Sequence, residues 1–560
     1  MCAPAENPET AERDGAGGPL ATRPWLSLAL LGLAALFFVW EFREVQPQFD
    51  DAYISYRYAR NLVEGNGLVY NVGEYVEGIT NLFWTLCVAF GLWLGLPAQT
   101  VGHALGLASG VATLAGATLL ASTGLKPRER WAAGGVPWLV LSSSCFSYWV
   151  VSGMETPLYC ALILAALLAA HQDRLGWATA AAFLATGTRP DAGLVAAAIY
   201  GVHVFRSWPK QRWSCLRWPV VFGVLLIALT AFRLYYYGSP VPNTFYAKVG
   251  GLPIMRGVWY TVSFVAGGIW PLLFPAAIAL RRDERLWTLG LYGLLLFGYL
   301  IYVAGDAFGY SRFYFPLVPI LAVLAVRGAV LGWRRDRGVG GLAWACVLGV
   351  GVVNFFGRHS WDFAVGLLGL GLIWAAAVFS ERRRLSLPAA VLTLLAAVMI
   401  VRESTPTQQE FQWYYGGALG FRTRSDTIAV ARKYNRSLEG LARKRASVIR
   451  EQMGPEAVVA TGGIGSFGYY SRATIIDIFG LIDPQVASSM SHRHLVGLPG
   501  HLRSNPDYVF ERRPDFILIP ERGQKIVTPP ALLDLWEHPA LDAHYEWDDE
   551  LPGYRRKPDA

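Results

Sequence analysis

The feature that most constrains this chain is a succession of apolar runs between residues 25 and 401, each near the roughly 20 residues that cross a bilayer as a helix. Candidate spans fall at 25–41, 101–122, 131–150, 157–171, 175–188, 191–205, 218–237, 258–280, 286–304, 315–332, 340–354, 362–379 and 386–402. The pattern predicts a polytopic α-helical membrane protein with about 13 spanning helices, because backbone in lipid must satisfy its own hydrogen bonds. After Arg402 the pattern changes: 403–560 is rich in Arg, Asp, Glu and Pro and holds no run long enough to cross. The chain of 560 residues thus divides into a membrane part, 24–402, and a small soluble domain, 403–560. Residues 1–23 are polar and rich in Gly, Ala and Pro, and are expected to be a disordered cytoplasmic N-terminus. The apolar run after Arg23 lacks a small-residue cleavage site and reads as a retained first helix, not a signal peptide.

Charged residues make up 16% of the chain, against about a quarter in ordinary soluble domains. The net charge of +8 comes from Lys and Arg gathered in loops 126–130, 206–217, 281–285, 334–337 and 381–384. By the positive-inside rule these loops are cytoplasmic. No basic block is interleaved with aromatics, so nucleic acid is not an expected partner. The apolar segment 81–96 would reverse every later side if it crossed, so it is read as a juxtamembrane helix. The outer face then receives the first outer loop, 42–100, with 151–156, 188–191, 238–257, 305–314, 355–361 and the C-terminal domain. The six cysteines leave the C-terminal domain with none, and in the helices Cys reads as a small apolar filler.

The unusual polar residues of the membrane part lie in those outer loops. The first reads Phe49-Asp50-Asp51-Ala52-Tyr53-Ile54-Ser55-Tyr56-Arg57-Tyr58-Ala59, then Gly65-Asn66-Gly67-Leu68-Val69-Tyr70-Asn71 and Glu77-Gly78-Ile79-Thr80-Asn81. A carboxylate at the bilayer surface can take the proton of an acceptor hydroxyl or hold a divalent cation, and an arginine can grip phosphate oxygens in a forked geometry. Asp50 and Asp51 are therefore candidate catalytic acids, and Arg57 a candidate phosphate ligand; an ordinary solvated loop with a capping Asp is the bland alternative. Glu155 in Gly153-Met154-Glu155-Thr156 is a further acid on the same face, or simply the start of the next helix. Arg189 and Asp191 in Thr188-Arg189-Pro190-Asp191, and Asp306 and Arg312 in Gly305–Arg312, are ionisable at membrane depth, where such groups face a cavity or a partner. Arg189 and Arg312 join the phosphate candidates; Asp191, Asp306 and Glu77 are candidates for orienting an acceptor or a cation.

In the soluble domain, strands are expected near 457–461, 475–478 and 515–519 and a long helix over 426–453, giving a small α/β unit. Gly463-Ile464-Gly465-Ser466-Phe467-Gly468 spells the dinucleotide fingerprint, but the segment after it is too short for the required helix and no acid follows at the right distance. Its glycines are expected to serve a tight turn. His492, His494 and His501 lack the carboxylate or Cys spacing of a metal site, and Asn435-Arg436-Ser437 spells a glycosylation sequon.

The first-loop runs, with Gly153-Met154-Glu155-Thr156, Thr188-Arg189-Pro190-Asp191, Gly305-Asp306 with Arg312, and Asp477-Ile478-Phe479-Gly480-Leu481-Ile482-Asp483-Pro484, resemble the GT-C glycosyltransferases. Within these they look most like the branch containing the mycobacterial terminal β-(1→2) arabinofuranosyltransferase, and the resemblance covers about 40–520. It implies a helical bundle with interfacial helices in the first outer loop and a polyprenyl-phosphate sugar donor, arabinofuranose being the best-known sugar of the branch. A catalytic acid falls on Asp50 or Asp51, and an assisting acid on Glu155. The acceptor would be a cell-envelope glycan or lipid on the outer face of the cell inner (plasma) membrane. Some family members need a divalent cation and others do not, so the cofactor stays open. The rival classes are a non-catalytic envelope scaffold on the same fold and a lipid or sugar transporter; the latter often shows internal repeats, and none is visible here.

Overall fold

A computed structural model of the chain describes residues 48–248, 254–265, 269–306, 308, 311–357, 428–454, 456–491, 501–523 and 529–558, with parts of 32–42. The expected disordered segment 1–23, the spans 362–379 and 386–402, the basic loop 381–384, His492 and His494 lie outside the described residues.

Apolar periodicity becomes helix where expected: Ala98–Ser122, Thr156–His171, Leu175–Thr188, Gly193–Gln211, Arg217–Tyr237, Trp287–Tyr302, Leu317–Arg335 and Arg337–Gly357. One expected span is broken among the described residues. Residues 131–150 form a 3₁₀ turn, Pro127–Gly134, then helices Gly135–Ser142 and Ser144–Trp149, parted at Ser143, where ψ swings to 126°. Within 258–280 the described residues form the helices Ile254–Phe264 and Trp270–Arg282, with Pro271 in the first turn of the second, the place in a helix that proline suits.

Four stretches among the described residues are long and apolar enough to cross a membrane: Ala98–Ser122, Pro190–Tyr237, Glu284–Tyr302 and Leu317–Arg335. The second comprises two successive helices, interrupted where Arg212 takes φ 44°. Leu317–Arg335 is buried along most of its length, whereas Arg217–Tyr237 turns Val220, Val224 and Ile227 outward. A helix apolar on its outer face belongs against lipid. Leu82–Trp93 has 12 residues, about 18 Å of helix, and is too short to cross a hydrocarbon core of about 30 Å by itself. This is the segment expected to lie at the interface, and it leaves Phe90 and Trp93 exposed.

The C-terminal domain opens with the helix Ile428–Met453 and builds a five-stranded sheet in the order β2-β1-β3-β5-β4. The strands are β1 Val458–Thr461, β2 Thr474–Asp477, β3 Phe516–Leu518, β4 Tyr545–Asp548 and β5 Gly553–Arg556. The first three are parallel neighbours at the expected places; the β4–β5 hairpin, antiparallel to β3, was not expected. One face of the sheet, through Ala460, Ile476 and Ile517, packs on Leu532, Leu535 and Trp536. The other face, through Val459, Ile475 and Phe516, shares its core with Ile449 of the long helix and with Ile54, Tyr58 and Tyr70 of the first outer loop. That loop also closes the free edge of β2. The Asn71 amide donates to the carbonyl of Ile475 (2.8 Å) and its oxygen accepts from the Ile475 N–H (3.0 Å), occupying groups that would otherwise invite another strand. The soluble domain is therefore seated on the first outer loop and completed by it.

Candidate functional site

The first outer loop begins at the turn Asp50-Asp51, which leads into the helix Ala52–Val63. It is tied to the neighbouring outer turn: the Phe49 N–H reaches the Ser152 carbonyl (2.9 Å) and the Tyr56 hydroxyl lies between Gln48 and the Gly153 carbonyl. Gly153 takes φ 76°, and a Cβ there would press on Tyr56 at 2.6 Å, so glycine is required. These contacts set Glu155 close to the first loop. Glu155 is buried; one oxygen pairs with Arg189 (3.2 Å) and the other accepts from Asn81 (3.0 Å), which bonds Ser55 in turn. Arg189 also forks onto Asp191 (3.0 and 3.3 Å) and lies over the Phe313 ring. The arginine and Asn81 together hold the Glu155 carboxyl below its ordinary pKa against the cost of its burial. Asp306 and Arg312 form a second buried pair, at 2.8 and 3.1 Å, with the guanidinium over Phe308.

The two adjacent acids of the first loop differ. Asp50 accepts on one oxygen both the N–H of Ser466 (2.9 Å) and its hydroxyl, so it faces the C-terminal domain. Asp51 is half-buried and, among the described residues, has neither a hydrogen bond nor an ion pair on its carboxylate. Enclosure pushes its pKa up to about 6; Lys248 and Arg312 pull it down, while Asp50 and Asp306 push it up. Lys248 ends the short helix Asn243–Lys248. Arg256 lies at the start of Ile254–Phe264, in electrostatic reach of Asp306; it is buried, and its Nε has no hydrogen-bond partner among the described residues. Asp51, Lys248, Arg256, the Asp306–Arg312 pair and the Glu155–Arg189–Asp191 triad thus form one field of alternating charge on the loops expected to share one face.

Two candidates from the sequence have other work. Arg57 is buried and donates to the carbonyls of Tyr70 (2.8 Å), Gly468 (2.8 Å) and Ala473 (2.7 Å) and to the Asn71 oxygen (3.2 Å). Its fork clamps the loop to the C-terminal domain in place of the phosphate expected there. Glu77 is buried, and both its oxygens accept from Arg233 Nε (2.9 and 3.1 Å), tying the first loop to the helix Arg217–Tyr237. Lys248, Arg256 and Ser466 were not among the candidates. The outer placement of 238–257 pointed to the first two; nothing in the spelling around Ser466 did. The Asn435 amide is buried against the Tyr148 hydroxyl (3.0 Å), so the sequon offers no free asparagine. His501 stacks edge-on against Phe479 (4.5 Å).

Among the described residues no group of three His, Cys, Asp or Glu side chains is placed to hold a metal ion. Glu155, Asp191 and Asp306 each hold an arginine, so the donor set suits an ion-pair lattice that meets an anion better than a cation site.

A family model described as a domain of unknown function, DUF8728, matches residues 399–557. The chain is 26% identical over 382 residues to the terminal β-(1→2)-arabinofuranosyltransferase of Corynebacterium glutamicum, covering 58% of this chain and 54% of the relative. It is 30% identical over 267 residues to that of Mycobacterium tuberculosis, covering 43% and 40%. The chain therefore spans about half the length, or less, of the curated relatives it matches. Among solved structures, ArnT from Cupriavidus metallidurans superposes with a TM-score of 0.44 at 14% identity, over 81% of this chain and 85% of that one. The arabinosyltransferase EmbB from Mycobacterium smegmatis gives 0.40 at 15% identity, over 76% and 43%. The chain is thus similar to terminal β-(1→2)-arabinofuranosyltransferases, and four of its described helical stretches are long and apolar enough to cross a membrane.

Proposed function

We propose that this protein is a glycosyltransferase of EC class 2.4 that moves a sugar, arabinofuranose being the first candidate, from a polyprenyl-phosphate donor to a hydroxyl of a cell-envelope glycan or lipid. The work would be done on the outer face of the plasma membrane. The observation that carries this reading is a carboxylate with no ion pair among the described residues, Asp51, set among cations of the expected outer loops. Transfer needs a deprotonated acid at the anomeric carbon and positive charge where the leaving phosphate develops its own. If the sugar inverts, Asp51 takes the acceptor proton as the acceptor oxygen attacks the anomeric carbon; if configuration is retained, Asp51 attacks that carbon first, and the acceptor oxygen then displaces the Asp51 carboxylate, its proton passing to the released phosphate. In either case the C–O bond to phosphate breaks and the electron pair leaves on the polyprenyl phosphate. Lys248, Arg256 and Arg312 meet that phosphate. Arg189, braced by Glu155 and Asp191, supports them, and Glu155 keeps Asn81 in place beside the loop. The similarity to terminal arabinofuranosyltransferases supports this choice of reaction and of first sugar.

The reading is tested on purified full-length protein offered a panel of polyprenyl-phosphate sugars, including arabinofuranose and mannose, with a glycan acceptor. Release of polyprenyl phosphate and growth of the acceptor with one donor is expected. No turnover of any donor, with or without divalent cations, would contradict it.

A further inference from the structure

The motif left without a role by the transfer chemistry is Gly463–Gly468. Ile464 and Gly465 lie in the expected turn, though none of the glycines takes positive φ. Two of them also make room for the first outer loop. A Cβ on Gly465 would run into the main-chain oxygen and carboxylate of Asp50, and one on Gly468 into the Tyr70 hydroxyl. Across this close approach, Ser466 donates twice to Asp50, Tyr70 donates to the Ile464 carbonyl, and Arg57 donates to the Gly468 carbonyl. The C-terminal domain thereby grips the residue next to Asp51.

A second arm of the same domain reaches the other side of the site. The Asp477 carboxylate accepts the N–H groups of Phe479 (2.9 Å), Leu481 (2.6 Å) and Ile482 (3.3 Å), fixing the loop 478–483. The carbonyls of Gly480 (2.8 Å) and Leu481 (3.1 Å) then receive the amide of Asn243, the first residue of the helix that ends in Lys248. The Asn243 N–H is taken by the Glu77 carbonyl (2.8 Å).

We propose that the C-terminal domain is a positioning half of the active site: Ser466, through Asp50, aims Asp51, and the Gly480–Leu481 turn, through Asn243, aims Lys248. The inference rests on the transferase reading and deepens it. Ser466 and Asn243 touch no reacting atom; they are positioning residues. The lever is large, because a misplacement of about 1 Å at a reacting group can cost on the order of 100-fold in rate.

The test compares Asp50→Asn, which keeps an oxygen for Ser466, with Asp50→Ala, which removes it, in the full chain with the donor that the wild type turns over. Asp50→Ala is expected to lose roughly 10- to 100-fold in kcat with donor KM within about 3-fold. Asp50→Asn should stay within about 5-fold of the wild type, and its acidic pH limb should move to lower pH, because the Asp50 charge is one of the influences raising Asp51. Asn243→Ala should act on donor KM instead. If Asp50→Asn is as dead as Asp51→Asn, Asp50 is itself the reacting acid and the inference is overturned. If Asp50→Ala matches Asp50→Asn, the clasp aims nothing. Should Asp50→Ala fail to fold, Ser466→Ala takes its place: it keeps the backbone donor, and a kcat equal to the wild type's would overturn the inference. A wild type that transfers no sugar sinks the transferase reading first; an active wild type with these variants silent sinks only the positioning role.

Discussion

Asp51 and Asp50 are adjacent and chemically identical, and sequence alone gives no reason to separate them. The difference comes from Ser466, more than 400 positions later, which occupies one of them. If Asp51 must be ionised to react, turnover should fall as pH drops through about 6, where its raised pKa places the change from carboxylate to acid. Lysine 248 opposes that shift, so Lys248→Met is expected to move the acidic limb of kcat/KM to higher pH and to raise donor KM. A limb that stays in place would mean that Lys248 does not face Asp51. Arg57 shows the converse limit. Its place one turn along the helix from the acids suggested phosphate, but its partners are carbonyls brought from the loop and from the distant domain. Arg57→Ala would strand several buried acceptors and should cost roughly 3 kcal/mol or more, seen as a lower melting temperature. Lys at that position should not restore it, since an ammonium cannot fork to the same carbonyls.

At the scale of elements, the long helix Ile428–Met453 and the parallel strands were legible because local pattern determines them: a polar helix with one apolar stripe, then short β-branched runs between turns. The β4–β5 hairpin escaped because Tyr545–Asp548 and Gly553–Arg556 carry charge and little β-branching; they join the sheet by pairing with β3, a tertiary fact. The broken span 131–150 was hidden for the opposite reason, since hydropathy is blind to a kink between apolar pieces. The Gly463–Gly468 loop was legible as a turn but not as a close approach, because glycine reports backbone freedom and close approach with the same letter. Gly465→Ala separates the two. It is expected to leave the helix Ser466–Ser471 helical and yet cost activity, by pushing the loop off Asp50. Unchanged turnover in Gly465→Ala would show that the approach tolerates a methyl group.

For the whole molecule, the sequence set a domain boundary at the end of the apolar runs, a place outside the described residues, and gave no sign of how the two parts meet. The C-terminal sheet borrows Ile54, Tyr58 and Tyr70 for its core, so the loop and the domain fold against each other. Sidedness rests on the basic loops and is open to a direct check, because the chain has no cysteine after Cys346. A cysteine at exposed Asp549 should react with a membrane-impermeant maleimide on intact cells, and one at exposed Lys210 only after permeabilisation; the reverse pattern would put the site on the cytoplasmic face. The central claim, that Asp51 is the reacting acid of a polyprenyl-phosphate-dependent transferase, is tested most directly by sugar transfer with purified wild type beside Asp51→Asn. The expected result is turnover of one donor by the wild type and a loss of at least about 100-fold in the variant, with an unchanged melting temperature. A folded Asp51→Asn protein that transfers sugar at the wild-type rate would contradict it.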